Sequence, residues 1–204
     1  MPRPTRKWNP ELFYHVGMRG NNRTAIFEHE RDKQVFLHCL NMAHERFNIE
    51  IVAYCVMINH YHLLIRSNEV SLSKVMAFIN LSYSRYFSKT YEYDGQLYDR
   101  RFYANEIRTP FGLLAVSAYI HRNPIDTKYP LVKNINDYQF CSYRLYTIEN
   151  TEPPAWLNLN LLPTLLPEKM IKTRQTYSLF CLIFTDSYEE NLSIRQLLEQ
   201  NGWI

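Results

Sequence analysis

Residues 49–66 hold two apolar, strand-like runs, Ile49–Met57 and His60–Arg66, separated only by a turn at Asn59. A connection this short joins antiparallel neighbours, because a parallel pair needs a crossover of a dozen or more residues. Helical periodicity flanks the hairpin on both sides. Upstream, a helix is expected from about Glu30 to Phe47, with Val35, Leu37, Leu40, Met42 and Ala43 supplying apolar faces. Downstream, Leu72, Val75, Met76 and Ile79 form an apolar stripe on a helix expected over Ser71–Ser88.

The remaining elements fall around this unit. Leu12, Tyr14, Val16 and Met18 alternate with Phe13, His15 and Gly17, which reads as a strand ending in the polar turn Arg19–Arg23. Gly95 breaks the chain, and Gln96–Ile107 is expected as a fourth strand. Thr109-Pro110 is a helix start, a capping side chain followed by proline at the first helical position. That helix runs to about Arg122 and ends near Asn123, because Pro124 follows. The order β-α-β-β-α-β-α gives an α+β fold: a ferredoxin-like split β-α-β core with an antiparallel sheet and one added helix. This core is assigned to residues 1–136, opening with an irregular arm over 1–10. Residues 137–204 form a mostly helical C-terminal extension packing on or beside the core. Within it, Pro153, Pro154, Pro163 and Pro167 mark residues 150–168 as a linker or wrapping segment, and 169–200 are expected to be helical.

At 204 residues the chain buries a sizeable core, and its composition excludes a disordered protein. The net charge of +3 and calculated pI near 8.6 permit nucleic-acid binding without requiring it. The 16 tyrosines suit stacking on unpaired bases, although most such rings serve packing. Cys39, Cys55, Cys141 and Cys181 are far apart and contain no CxxC, which points to buried free thiols in a reducing cytosol. No apolar run is long enough to span a membrane and no signal region is evident, so a cytoplasmic protein is expected.

His60 and His62 stand two apart on a strand, so both imidazoles leave the same face. That arrangement suits a metal better than an ordinary core. On the last core helix, Leu113, Val116, Ser117 and Ile120 mark the buried side, while Tyr119 and Asn123 lie one turn apart on its shoulder. A phenol and a carboxamide can there meet the histidine pair. Asn123 reads equally as a helix C-cap, and His15 as a core residue or a support for the site.

This combination resembles the single-tyrosine HUH transposases (histidine, bulky hydrophobic residue, histidine), and within them the REP-associated tyrosine transposases. The matching segments run in family order. They are Tyr14-His15-Val16 with Arg19-Gly20-Asn21, then Met57–Leu64, then Tyr83–Phe87. Gly95-Gln96-Leu97 with Arg101-Phe102 follows, and Tyr119–Pro124 closes the series. The resemblance implies a transposase that cleaves and rejoins single-stranded DNA beside a hairpin, such as a REP-like palindrome. Tyr119 would be the nucleophile, forming a 5′-phosphotyrosine. His60, His62 and Asn123 would hold Mg²⁺ or Mn²⁺; the family uses Gln at the third position in some branches. Arg19, Arg23, Arg85, Arg100, Arg101 and Arg122 are the candidate DNA contacts, because guanidinium groups pair with phosphate bidentately. A monomer is favoured, with a homodimer possible. The competing reading is a domesticated hairpin-binding protein of the same fold that no longer cuts.

Overall fold

The computed structural model describes residues 7–148 and 151–184. Seven elements form the core: β1 (Phe13–Arg19), α1 (Glu30–Phe47), β2 (Ile49–Val56), β3 (His60–Ser67), α2 (Leu72–Tyr91), β4 (Tyr103–Ile107) and α3 (Pro110–Arg122). The sheet has the order β2-β3-β1-β4 and every neighbouring pair is antiparallel. This is the expected split β-α-β arrangement, with β3 inserted between β1 and β2.

The period-2 alternation of β3 decides which side chains meet which helices. Tyr61 points to the side of α1 and α2: its ring centroid lies 4.4 Å from that of Phe36, and its hydroxyl donates to Asn80 at 2.6 Å. His60, His62 and Leu64 point to the opposite side, where α3 crosses β2 and β3. α1 and α2 are joined through Asp32. Its carboxylate caps α1 by accepting from the His29 amide, and also accepts from the hydroxyls of Tyr86 and Tyr91, each bond being 2.8 Å. This explains why α2 runs three residues past its expected end at Ser88.

The fourth strand is shorter than expected. Only Tyr103–Ile107 forms a continuous ladder with β1; residues 96–102 leave it, keeping an isolated antiparallel bridge of Tyr98 to Gly20 and a bond from Asp99 N–H to the Arg19 carbonyl at 3.1 Å. Leu97, Tyr98 and Phe102 are buried there, and the Leu97 carbonyl accepts from the Asn21 amide at 2.9 Å. Burying three large side chains outweighs extending the ladder.

After α3 the chain folds back on the outer edge of β2. Val56 N–H donates to Phe140 at 2.9 Å, Ser142 N–H to Tyr54 at 3.0 Å, and Ile51 N–H to Trp156 at 2.9 Å. Residues 140–142 and 156–158 thereby cover an edge that would otherwise be open to pairing with other chains. Of the segment expected as linker or wrap, the described residues 151–168 wrap: Trp156, Leu157, Leu159, Leu162 and Leu166 are buried. Three further helices follow: α4 (Tyr143–Thr147), α5 (Leu161–Thr164) and α6 (Arg174–Ile183). Of the helix expected over 169–200, α6 accounts for Arg174–Ile183, whereas residues 169–173 and the extended Phe184 are not helical; the part beyond 184 lies outside the described residues, as does the arm before Lys7. Cys39, Cys55, Cys141 and Cys181 are free and buried. No helix among the described residues is long and apolar enough to cross a membrane.

Candidate functional site

His60 and His62 lie at one end of the α3 side of the sheet, their ring centroids 5.1 Å apart. Gly17 stands directly opposite His62 on β1, and Arg19 opposite His60. α3 brings Tyr119 over them, its ring 5.6 Å from His62 and 5.7 Å from His15. The helix is fixed at its start by Thr109, whose hydroxyl accepts from Gly112 N–H at 3.0 Å, and by Pro110. On its inner side it buries Leu114, Ser117, Ala118, Ile120 and His121, whereas Leu113 and Val116, expected inside, are half-buried. Tyr119 is 39 % exposed, so the residue is accessible from solvent.

The hydrogen bonds around His60 decide which of its ring nitrogens carries the proton. Its Nδ1 lies 2.7 Å from Asn59 Oδ1 and its Nε2 lies 3.5 Å from Asn123 Oδ1. Both amides are already oriented: Asn59 Nδ2 donates to the Arg23 carbonyl and Asn123 Nδ2 to the Tyr119 carbonyl, each at 3.0 Å. Both therefore present oxygen to the imidazole. A neutral imidazole has a single N–H. The shorter contact to Asn59 takes it, which leaves the Nε2 lone pair facing the Asn123 oxygen. Burial lowers the His60 pKa, Asn123 partly opposes this, and the positive charge of Arg19 adds to it, so the ring is neutral near pH 7. Two acceptors facing each other at this distance suit a cation between them.

His62 is held well below the ordinary histidine range, first by burial and then by His60, His15 and Arg19. His15, open in the sequence between a core residue and a support for the site, lies against it: His15 Nε2 is 3.0 Å from His62 Nδ1. Burial pushes the His15 pKa down to about 4. Among the described residues no group of three His, Cys, Asp or Glu side chains is placed to hold a metal. The donor set that does converge is two imidazoles and one carboxamide.

Beside the histidines opens a cleft of about 310 Å³, lined by Arg19, His60, His62, Arg100, Arg101 and Tyr103 among others. Arg19, Arg100 and Arg101 are exposed at its wall, and Arg100 also pairs with Asp99 at 3.0 Å. Arg23 is exposed in the turn after β1, at a positive φ of 60°. Arg85 and Arg122 are not brought to the cleft. Arg85 lines a separate shallow groove on α2 with Leu81, Ser84, Ser88 and Lys89. Arg122 pairs with Asp126 at 2.6 Å and donates to the Leu182 carbonyl at 2.6 Å, which ties α3 to α6. The sequence reading gave no role to Gly17 or to the Asn59 amide. The repeat His15-x-Gly17-x-Arg19, matching the period of His60-x-His62, was the available signal for Gly17.

The family model described as IS200-like transposase matches residues 9–123, more than half of the chain and all of the elements that carry this site. The chain belongs to the IS200-like transposase family. No functionally curated protein matches it. Among solved structures, that of a REP-associated tyrosine transposase bound to a REP hairpin superposes with a TM-score of 0.61 at 18 % identity. The match covers 78 % of this chain and 92 % of the other and shows a shared fold. The match to the family ends at Asn123, the C-cap of α3.

Proposed function

We propose that this transposase cleaves and rejoins single-stranded DNA beside a hairpin, through a covalent bond to Tyr119. The observation that carries the reading is the convergence on one end of the sheet of an exposed tyrosine, two neutral imidazoles and an oriented carboxamide oxygen, beside an arginine-walled cleft. His60 Nε2, His62 and Asn123 Oδ1 fit a divalent cation, Mg²⁺ or Mn²⁺ by the preference of phosphate oxygens for these ions. When bound, such an ion supplies Lewis-acid polarisation of the scissile phosphate.

The side chains do the rest. Arg19, Arg100 and Arg101 neutralise and orient the backbone phosphates at the cleft. The Tyr119 oxygen forms a bond to phosphorus while the bond to the 3′ oxygen breaks. The phenolic proton leaves, and the 3′ oxygen departs as a hydroxyl. The 5′-phosphotyrosine stores the bond for religation. Tyr103, exposed at the cleft rim, offers a face to an unpaired base. Tyr119 reaches the histidines of its own chain, which favours action as a monomer. The hairpin carried by the structural relative supports a REP-like palindrome as substrate. Residues 1–136 would act as the catalytic domain and 137–204 as its extension.

The test is a 3′-end-labelled single-stranded hairpin oligonucleotide incubated with the protein and Mn²⁺. The expected result on a denaturing gel is cleavage with a covalent adduct, both abolished in Tyr119→Phe. An adduct that survives Tyr119→Phe removes Tyr119 as the nucleophile. Binding without cleavage of any hairpin supports the non-cutting reading.

A further inference from the structure

We infer that His15 is a positioning residue for the cation site: it holds the His62 ring with the proton on Nδ1 and so keeps Nε2 free as the ligand atom. The inference rests on the reading of His60, His62 and Asn123 as cation ligands.

The contact between His15 Nε2 and His62 Nδ1, at 3.0 Å, needs one N–H and one lone pair. Were His15 the donor, the His62 proton would sit on Nε2 and block the only nitrogen left for a ligand bond. With His15 as acceptor, its own proton lies on Nδ1 and the His62 Nε2 lone pair is exposed. Ligating histidines commonly have their other nitrogen held in this way, which fixes tautomer and ring plane together.

Three features make the contact a built one. In the register of the sheet His15 stands opposite Leu64 and Gly17 opposite His62, so the two histidines meet on the diagonal. Gly17 leaves the room for this: a Cβ there would lie 3.3 Å from His62 Nδ1, the very atom that faces His15. The His15 ring is clamped edge-on by Tyr103 at 5.4 Å and Tyr119 at 5.7 Å, and is 8 % exposed. Its plane is thus set by the strand, the sheet edge and the tyrosine helix together.

The experiment measures Mn²⁺ affinity, by electron paramagnetic resonance of the free ion, on the full chain without DNA. His15→Leu keeps an apolar side chain of similar bulk and removes the acceptor; His15→Gln restores an acceptor. The expected result is a loss of roughly ten- to hundred-fold in affinity for His15→Leu and recovery of most of it in His15→Gln. Recovery of Mn²⁺ affinity in His15→Gln, with both variants shown by urea unfolding in chelator to be folded under the conditions of the titration, is the readout that a merely structural role would not give. Equal Mn²⁺ affinity in His15→Leu and wild type overturns the inference while leaving the site intact. Should His15→Leu fail to fold, His15→Phe is the second variant: it keeps a ring of similar shape between Tyr103 and Tyr119 without an acceptor, and undiminished affinity there overturns the inference too. If wild type binds no Mn²⁺, or His62→Ala binds it as well as wild type does, the cation-site reading itself falls, and this inference with it.

Discussion

His121 is a fully buried histidine that the fold holds neutral, and acid should expose the cost. Its ring lies between α3, α4 and α6, with Nε2 2.8 Å from Ser142 Oγ and Nδ1 3.2 Å from the Tyr177 hydroxyl. Tyr143, Tyr146 and Tyr177 surround it within 6 Å, centroid to centroid. Burial pushes its pKa down to about 3, from an ordinary 6.5. The unfolded chain therefore takes up the proton first. The stability held by neutral His121 is complete above pH 6.5 and is lost as the pH falls from there toward about 3. Between pH 7 and pH 4.5 this single group removes about 2.5 kcal/mol, and about 5 kcal/mol once both states are protonated. His15, brought down to about 4, adds to the wild-type decline, so the informative quantity is a difference between variants. His121→Gln keeps a polar side chain that does not titrate, at a packing cost of about 1–3 kcal/mol at pH 7. Urea unfolding followed by tryptophan fluorescence, in chelator at half-unit steps from pH 7 to 4.5, should show the two stability curves converging by about 2.5 kcal/mol. Parallel curves would show that His121 is not held neutral and would refute the burial argument.

Three further outcomes are expected. In Gly20→Ala the new Cβ would sit 2.4 Å from the Thr24 carbonyl oxygen and 2.7 Å from Ile26 Cγ2, so the turn after β1 must shift; urea unfolding should show a loss of about 1–3 kcal/mol. Asn123→Ala removes the oxygen facing His60 Nε2 and should weaken Mn²⁺ binding by about tenfold or more, whereas Asn123→Asp, which keeps an oxygen there, should retain it; calorimetric titration decides. Arg101→Ala should weaken single-stranded DNA binding and reduce the salt slope by about 0.7, while Arg85→Ala, outside the cleft, should leave cleavage beside the hairpin unchanged; binding isotherms across a salt series and the gel assay separate the two.

Much of the fold and half of the site were legible from residue order. The alternation in β3 told which face His60 and His62 share, because strand period is a local property. Thr109-Pro110 and Pro124 bounded α3, and the four-residue spacing put Tyr119 and Asn123 on one side of it, where Asn123 Nδ2 indeed reaches the Tyr119 carbonyl. The fourth strand was overextended because nothing local distinguishes a residue paired in a continuous ladder from one displaced from it where Leu97 and Phe102 are buried. The prolines of residues 150–168 suited a linker as well as a wrap, and only the edge of β2 decided between them.

The sequence by itself determined the elements, the faces of each and the residue types able to hold a cation and attack a phosphate. Tertiary structure alone decided which of those residues meet. The diagonal from His15 to His62 joins residues 47 apart, and Gly17 matters only because the register places it opposite His62. Of the six arginines, the sheet end gathers Arg19, Arg100 and Arg101 at the cleft and leaves Arg85 on a helix across the sheet. Local periodicity fixes the direction in which a side chain leaves its own backbone. Strand register and helix docking, which depend on burial summed over the whole core, fix what it finds there.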